Sequence, residues 1–186
     1  MDDSTIIALY QARSESAISE TARKYGRYCA KIAMNILQNN EDADECVNDA
    51  YLKVWNVIPP QCPRIFAAFL GKITRNLSLN KYKARNTQSR GGGEITLLLT
   101  ELEDCVPSAV SVEAQYEAGT ITEAINGFLR SLDAESRKVF VRRYWYADPI
   151  ADIAARFHIS DSKVKSMLFR TRNKLKSYLE QEGVTL

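Results

Sequence analysis

The chain has 186 residues, 45% of them apolar and 26% charged, the balance of an ordinary globular protein with length for one or two domains. No apolar run approaches the ~18 residues of a membrane span and the N-terminus is acidic, so the expectation is a cytoplasmic protein with neither membrane insertion nor a secretory leader. Four cysteines (Cys29, Cys46, Cys62, Cys105) without a C-x-x-C pair, and the single histidine His158, predict buried free thiols, no metal site, no cofactor and no Ser-His or Cys-His catalysis.

The net charge of +2 conceals a segregation. Residues 1–60 hold 6 Lys+Arg against 9 Asp+Glu, residues 61–90 hold 7 against 0, residues 91–135 hold 1 against 9, and residues 136–186 hold 11 against 5. Two separate basic blocks suggest two places where a polyanion could be held.

In chain order, Ala22, Tyr25, Cys29, Ile32 and Ile36 recur at spacings of three and four and predict a long helix over about 19–38 with these residues inward. Asn39-Asn40 offers a stop and a new N-cap. Glu41, Asp42 and Asp44 follow at the positive end of the next helix dipole, with Ala43, Val47, Ala50 and Val54 as its inward stripe to about Asn56. That stripe turns Glu45, Asn48, Asp49 and Leu52 outward, and an outward leucine among acids suggests a partner surface. Pro59, Pro60 and Pro63 break the pattern. Phe66, Phe69/Leu70, Ile73 and Leu77 restart it and carry Lys72, Arg75, Lys81, Lys83 and Arg85. Residues 1–86 thus read as one helical domain.

Residues 87–119 read as a connector, with Gly91-Gly92-Gly93 and one short docking piece at Leu97, Leu98, Leu99 and Leu102. From residue 120 to the end a second helical domain follows. Ile125, Phe128/Leu129 and Leu132 mark one helix, Val139, Phe140 and Tyr144 a second, and Asp148-Pro149 an N-cap with proline at the first helical position of a third. The third helix, Ile150 to Phe157, includes the small Ala154. His158-Ile159 then turns the chain, histidine accepting positive φ, and Ser160 caps a helix from Asp161 to about Tyr178. Ile153, Phe157, Ile159, Val164 and Leu168 pack the pair. The last helix bears Lys163, Lys165, Arg170, Arg172, Lys174 and Lys176 against Asp161, a helix-turn-helix with a cationic second helix.

The run Glu41-Asp42-Ala43-Asp44-Glu45-Cys46-Val47-Asn48-Asp49-Ala50-Tyr51-Leu52-Lys53-Val54-Trp55 resembles region 2.2 of bacterial sigma-70 family RNA polymerase sigma factors. Phe66-Ala67-Ala68-Phe69-Leu70-Gly71-Lys72-Ile73-Thr74-Arg75-Asn76-Leu77 is similar to regions 2.3 to 2.4, and residues 121–180 to region 4. Two domains without an intervening region 3 are similar to the extracytoplasmic-function group. Departures from the family pattern include Phe69 for Trp, Gly71 for an aromatic, Asn80 for Asp, Lys163 for Thr and Met167 for Arg, and they bear on promoter sequence.

The resemblance implies an all-α fold of two small domains, a region 2-like bundle and a region 4-like helix-turn-helix, joined by a flexible linker. It implies a non-enzymatic specificity subunit that joins core RNA polymerase, binds promoter DNA and answers to an anti-sigma factor. Glu45, Asn48, Asp49 and Leu52 would meet the clamp helices of the largest polymerase subunit. Lys72, Arg75, Asn76, Asn80, Tyr82 and Lys83 would hold the melted −10 strand, where cations follow the backbone and polar or aromatic groups hold an unstacked base. Ser162, Lys163, Ser166 and Arg170 would read −35 base edges in the major groove, with Lys165 beside them and with Arg172 and Lys174 on phosphates. The competing expectation is a conventional helix-turn-helix regulator with a dimerising or sensing N-terminal domain.

Overall fold

The computed structural model describes residues 1–86, 94–103 and 114–182. Among them all regular structure is helical: α1 (Asp3–Gln11), α2 (Ser16–Leu37), α3 (Asn40–Val57), α4 (Phe66–Asn86), α5 (Glu94–Glu103), α6 (Ala114–Ser131), α7 (Ala134–Tyr144), α8 (Ile150–Phe157) and α9 (Asp161–Gln181). The chain divides into two compact units, Met1–Gly91 and Gly92–Leu186. The triple glycine, Cys105 and Pro107 lie outside the described residues.

In the first unit, α2, α3 and α4 pack on one another, with α1 against α2 and α4. Gln38, at φ 52°, takes the left-handed conformation that ends α2, and Asn39 Oδ1 accepts the Asp42 N–H at 2.9 Å to open α3. Such a cap is worth about 1 kcal/mol. Ala43, Val47, Ala50 and Val54 face inward as their spacing demands, joined by Cys46 and Tyr51. Cys29 and Cys46 are buried, and burial pushes the Cys29 thiol up to about 11. Cys62 departs from the expected burial: it is exposed in the loop between α3 and α4, where Gln11 of α1 donates to its Sγ at 3.5 Å.

Two inward stripes differ from those expected. On α2, Ala22 is exposed, Tyr25 is half-buried and Thr21 is buried instead, its Oγ1 2.9 Å from the Tyr10 hydroxyl and 2.8 Å from the Ala17 carbonyl. On α4, Phe66 and Leu70 are buried, but Thr74 and Ser78 continue the inward line while Phe69, Ile73 and Leu77 are half-buried. Thr74 donates to the Leu70 carbonyl at 3.0 Å and Ser78 to the Thr74 carbonyl at 2.8 Å, so these small hydroxyls enter the interior already satisfied. Gly71 serves the same close approach. A Cβ there would lie 2.1 Å from the Tyr28 hydroxyl, because the Tyr28 ring of α2 occupies the space that a side chain at residue 71 would fill.

In the second unit, α6, α7 and α8 pack on α9, and α5 packs on α7. Phe128 meets Phe140 and Tyr178 edge-on or tilted, and Phe140 meets Tyr144 with ring centroids 4.6 Å apart and planes tilted by 53°. α5 falls within the stretch expected as a connector. Ile95 and Leu98 are buried, Leu99 and Leu102 half-buried, and Leu97 is 53% exposed. Asp133 caps α7, its Oδ1 accepting the Ser136 N–H at 2.8 Å. Ahead of α8, the N-cap position falls on Pro149 in place of Asp148, so the proline precedes the first helical residue, Ile150. The Asp148 carboxylate is buried against Arg142, 2.7 Å away, a pairing with another helix that the Asp-Pro dipeptide does not disclose.

Candidate nucleic-acid interface

α8 and α9 are joined through His158, at φ 54°, and Ser160, whose Oγ accepts the Lys163 N–H at 3.2 Å. Ile153, Ala154, Val164 and Leu168 are buried between them, and Phe157 and Ile159 half-buried. With its inner side committed to Val164, Met167, Leu168, Thr171, Leu175 and Leu179, α9 turns the opposite side to solvent. There Ser162, Lys163, Lys165, Ser166, Phe169 and Arg170 line one shallow depression near its N-terminal end. The Lys163 ammonium stands 3.5 Å from Glu135 of α7, and both side chains are about half exposed. Such an exposed pair is worth little in water and is readily exchanged for a phosphate or a base edge. Phe169 is 58% exposed, an aromatic on an otherwise hydrophilic face. Sequence reasoning omitted it, although its place seven residues after Ser162 and three after Ser166 puts it on the same side of the helix. Lys174 lies further along and is exposed.

Arg172 stands apart from this group. Its guanidinium donates to the Tyr144 hydroxyl at 2.7 Å and lies 3.4 Å from Glu101 of α5, leaving the side chain 17% exposed. It is therefore turned inward rather than towards a duplex backbone, because an acidic partner outside the helix-turn-helix draws it in.

On α4, Lys72, Asn76, Asn80 and Lys83 are exposed and recur at spacings of four and three, so they form one continuous stripe. Arg75 and Tyr82 flank it half-buried, and burial lowers the Arg75 pKa. The other cations of this block serve the fold. Lys81 pairs with Asp42 at 3.0 Å and Glu45 at 2.5 Å, and Arg85 reaches Asp42 at 2.9 Å and the Leu37 carbonyl at 3.0 Å. Hydrogen bonding and charge from Lys81, with Arg85, hold the Asp42 carboxyl below its usual range. On α3, Glu45, Asn48, Asp49 and Leu52 are all exposed, Leu52 by 56%. Glu45 meets α4 through Lys81, whereas Asn48, Asp49 and Leu52 continue the outward face.

A capped helix-turn-helix whose second helix offers cations, hydroxyls and one aromatic defines a DNA-binding protein. Residues 21–88 match the family model for sigma-70 region 2 and residues 122–175 that for sigma-70, region 4. The ECF RNA polymerase sigma factor SigE of Mycolicibacterium smegmatis (strain ATCC 700084 / mc(2)155) is 24% identical over 188 residues, covering 98% of this chain and 70% of that protein. A solved structure of CnrH in complex with the cytosolic domain of CnrY is 20% identical with a TM-score of 0.44, over 96% of this chain and 97% of that one. The chain belongs to the sigma-70 family of RNA polymerase sigma factors. It is a sigma factor acting in transcription initiation. Among the described residues no helix is long and apolar enough to cross a membrane.

Proposed function

We propose that this sigma factor joins core RNA polymerase through the outward face of α3, reads the −35 element as duplex with α9, and holds the −10 element as separated strand along α4. The observation that carries the reading is the exposed face of α9, where Ser162, Lys163, Ser166 and Arg170 stand with Phe169 at the end that enters a major groove first. Arginine and lysine can donate to guanine, serine to several edges, and an exposed phenyl ring suits the thymine methyl. Lys165 and Lys174, on the flanks, suit phosphates, which position the helix without reading sequence.

For the −10 element the supporting feature is the stripe Lys72, Asn76, Asn80 and Lys83, with Arg75 and Tyr82 beside it. Lysines there can follow a single-strand backbone while the asparagine amides hydrogen-bond an extruded base. For core polymerase it is Asn48, Asp49 and Leu52, with Glu45 at the border, an exposed leucine inside a polar rim. The clamp helices of the largest subunit are the partner assigned to this face, and an anti-sigma factor is the inhibitory partner that the family relationship suggests.

The test is copurification with core polymerase followed by run-off transcription on a genomic promoter library. Parent protein should bind core and start transcripts at discrete sites. Asp49→Arg combined with Leu52→Ala should lose core binding with unchanged helical content. Retention of core by this double variant would remove α3 from the interface, and binding of a palindromic operator without polymerase would favour a conventional regulator.

A further inference from the structure

We propose that α5 is a built-in competitor of DNA: docked on the helix-turn-helix unit, it holds Arg172 inward through Glu101 and must let go before that guanidinium can reach a phosphate. The inference rests on α9 being the duplex-binding helix.

Two independent contacts dock α5. Ile95 and Leu98, at 3% and 1% exposure, bury its apolar side. One turn further, one Glu101 oxygen accepts the Tyr144 hydroxyl at 2.9 Å and lies 3.9 Å from Nε of the fully buried Arg143, while the other is 3.4 Å from Arg172 Nη1. Arg172 also donates to the Tyr144 hydroxyl at 2.7 Å. Glu101 therefore stands between two guanidinium groups, and burial together with the adjacent Glu101 charge raises the pKa of Tyr144, keeping it a neutral bridge between them.

Without the carboxylate, two cations would share one poorly hydrated pocket. Arg143 is buried and bonded to the Asp148 carbonyl at 3.2 Å, so Arg172 is the one able to turn to solvent. Arg172 lies seven residues beyond the exposed Lys165, two turns along α9 and about 20° from it around the helix axis, so a released guanidinium extends the cationic edge of the helix. The sequence of α5 holds three glutamates and no basic residue. Helix and DNA backbone offer Arg172 the same chemistry, an oxyanion, and each must weaken the hold of the other by the same factor.

The experiment uses the full chain and a mixed-sequence duplex of roughly two helical turns, titrated between 50 and 200 mM salt. Glu101→Gln removes the charge and Leu98→Ser undocks the helix without touching it. Both variants should bind the duplex more tightly than the parent, with a slope of log K against log salt steeper by about 0.9, the signature of one added phosphate contact; the gain should shrink about 3-fold across that salt range. Adding Arg172→Ala to Glu101→Gln should abolish the gain. In the parent, duplex should speed amide exchange in α5 while α7 and α9 stay protected, and the same protection in Leu98→Ser excludes unfolding as the source of its effect.

Unchanged affinity and slope in both variants, or a gain that survives Arg172→Ala, would overturn the proposal. If the parent fails to bind duplex at any salt, binding that appears in the two variants supports the competitor role, and its absence in all three overturns both this inference and the reading of α9.

Discussion

Replacing Gly71 by alanine tests how the helix carrying the −10 stripe is seated. The added Cβ would lie 2.1 Å from the Tyr28 oxygen, 2.9 Å from Cζ and 3.0 Å from Cε1, so rotating the hydroxyl relieves nothing and the ring itself must move. Overpacking of this kind costs about 1–3 kcal/mol. Alanine gains about 1 kcal/mol over glycine inside a helix, so at an m-value of about 1 kcal/mol/M for so small a unit the urea midpoint should fall by up to about 2 M. The two tryptophans make the assay specific, since Trp55 lies in the first unit and Trp145 in the second. In a Trp145→Phe background, Trp55 fluorescence follows the first unit alone. Tyr28→Phe removes only the nearest atom and should rescue Gly71→Ala in part, whereas with Tyr28→Ala the same substitution should stabilise by about 1 kcal/mol, the helix preference of alanine, giving a coupling larger than the single-variant cost. A raised midpoint in Gly71→Ala, or full additivity with Tyr28→Ala, would refute the packing described for α2 and α4.

Asn80→Ala should weaken open-complex formation, followed by permanganate reactivity of the melted strand, while −35 duplex binding is unchanged; equal opening by mutant and parent would remove Asn80 from the site. Lys163→Ala and Lys174→Ala should differ in kind. The first should cost about 1–3 kcal/mol at one base pair and alter the sequences recovered from a randomised upstream element, and the second should weaken all sequences alike with a salt slope shallower by about 0.9. The reverse pattern would mean that α9 docks in another orientation. Because Lys81 and Arg85 hold the Asp42 carboxyl below its ordinary value of 3.8, its stabilising contribution is complete above that pH and is lost as pH falls through the lower folded-state value. Acid titration of Trp55 fluorescence should therefore show a shallower loss of stability below pH about 4 in Asp42→Asn than in the parent, and parallel curves would show that the pairing adds nothing.

What the sequence determined by itself was the set of features written within a few residues of one another. The caps at Asn39 and Ser160 and the turn at His158 are local in this sense, as is the recurrence of Ala43, Val47, Ala50 and Val54, because a hydrogen bond to the third residue or a step of three or four along a helix needs no knowledge of the rest of the chain. The helix-turn-helix and the outward face of α3 follow from the same local rules. Tertiary structure decided which cations of each basic block are engaged within the fold. Lys81 and Arg85 are drawn to Asp42 on another helix, Arg85 while still exposed, and Arg172 is drawn to Glu101 and Tyr144, by partners between 28 and 71 residues away in sequence; Lys72, Lys165 and Lys174 are exposed on the outer faces of the same helices. It also decided that Thr21, Thr74 and Ser78 turn inward in place of bulkier neighbours, since a hydroxyl that bonds its own helix can be buried where two helices approach closely, and that Gly71 yields its space to Tyr28. Charge and size fix what a residue can do; the distance to its partner, set only when the helices pack, fixes which of those things it does.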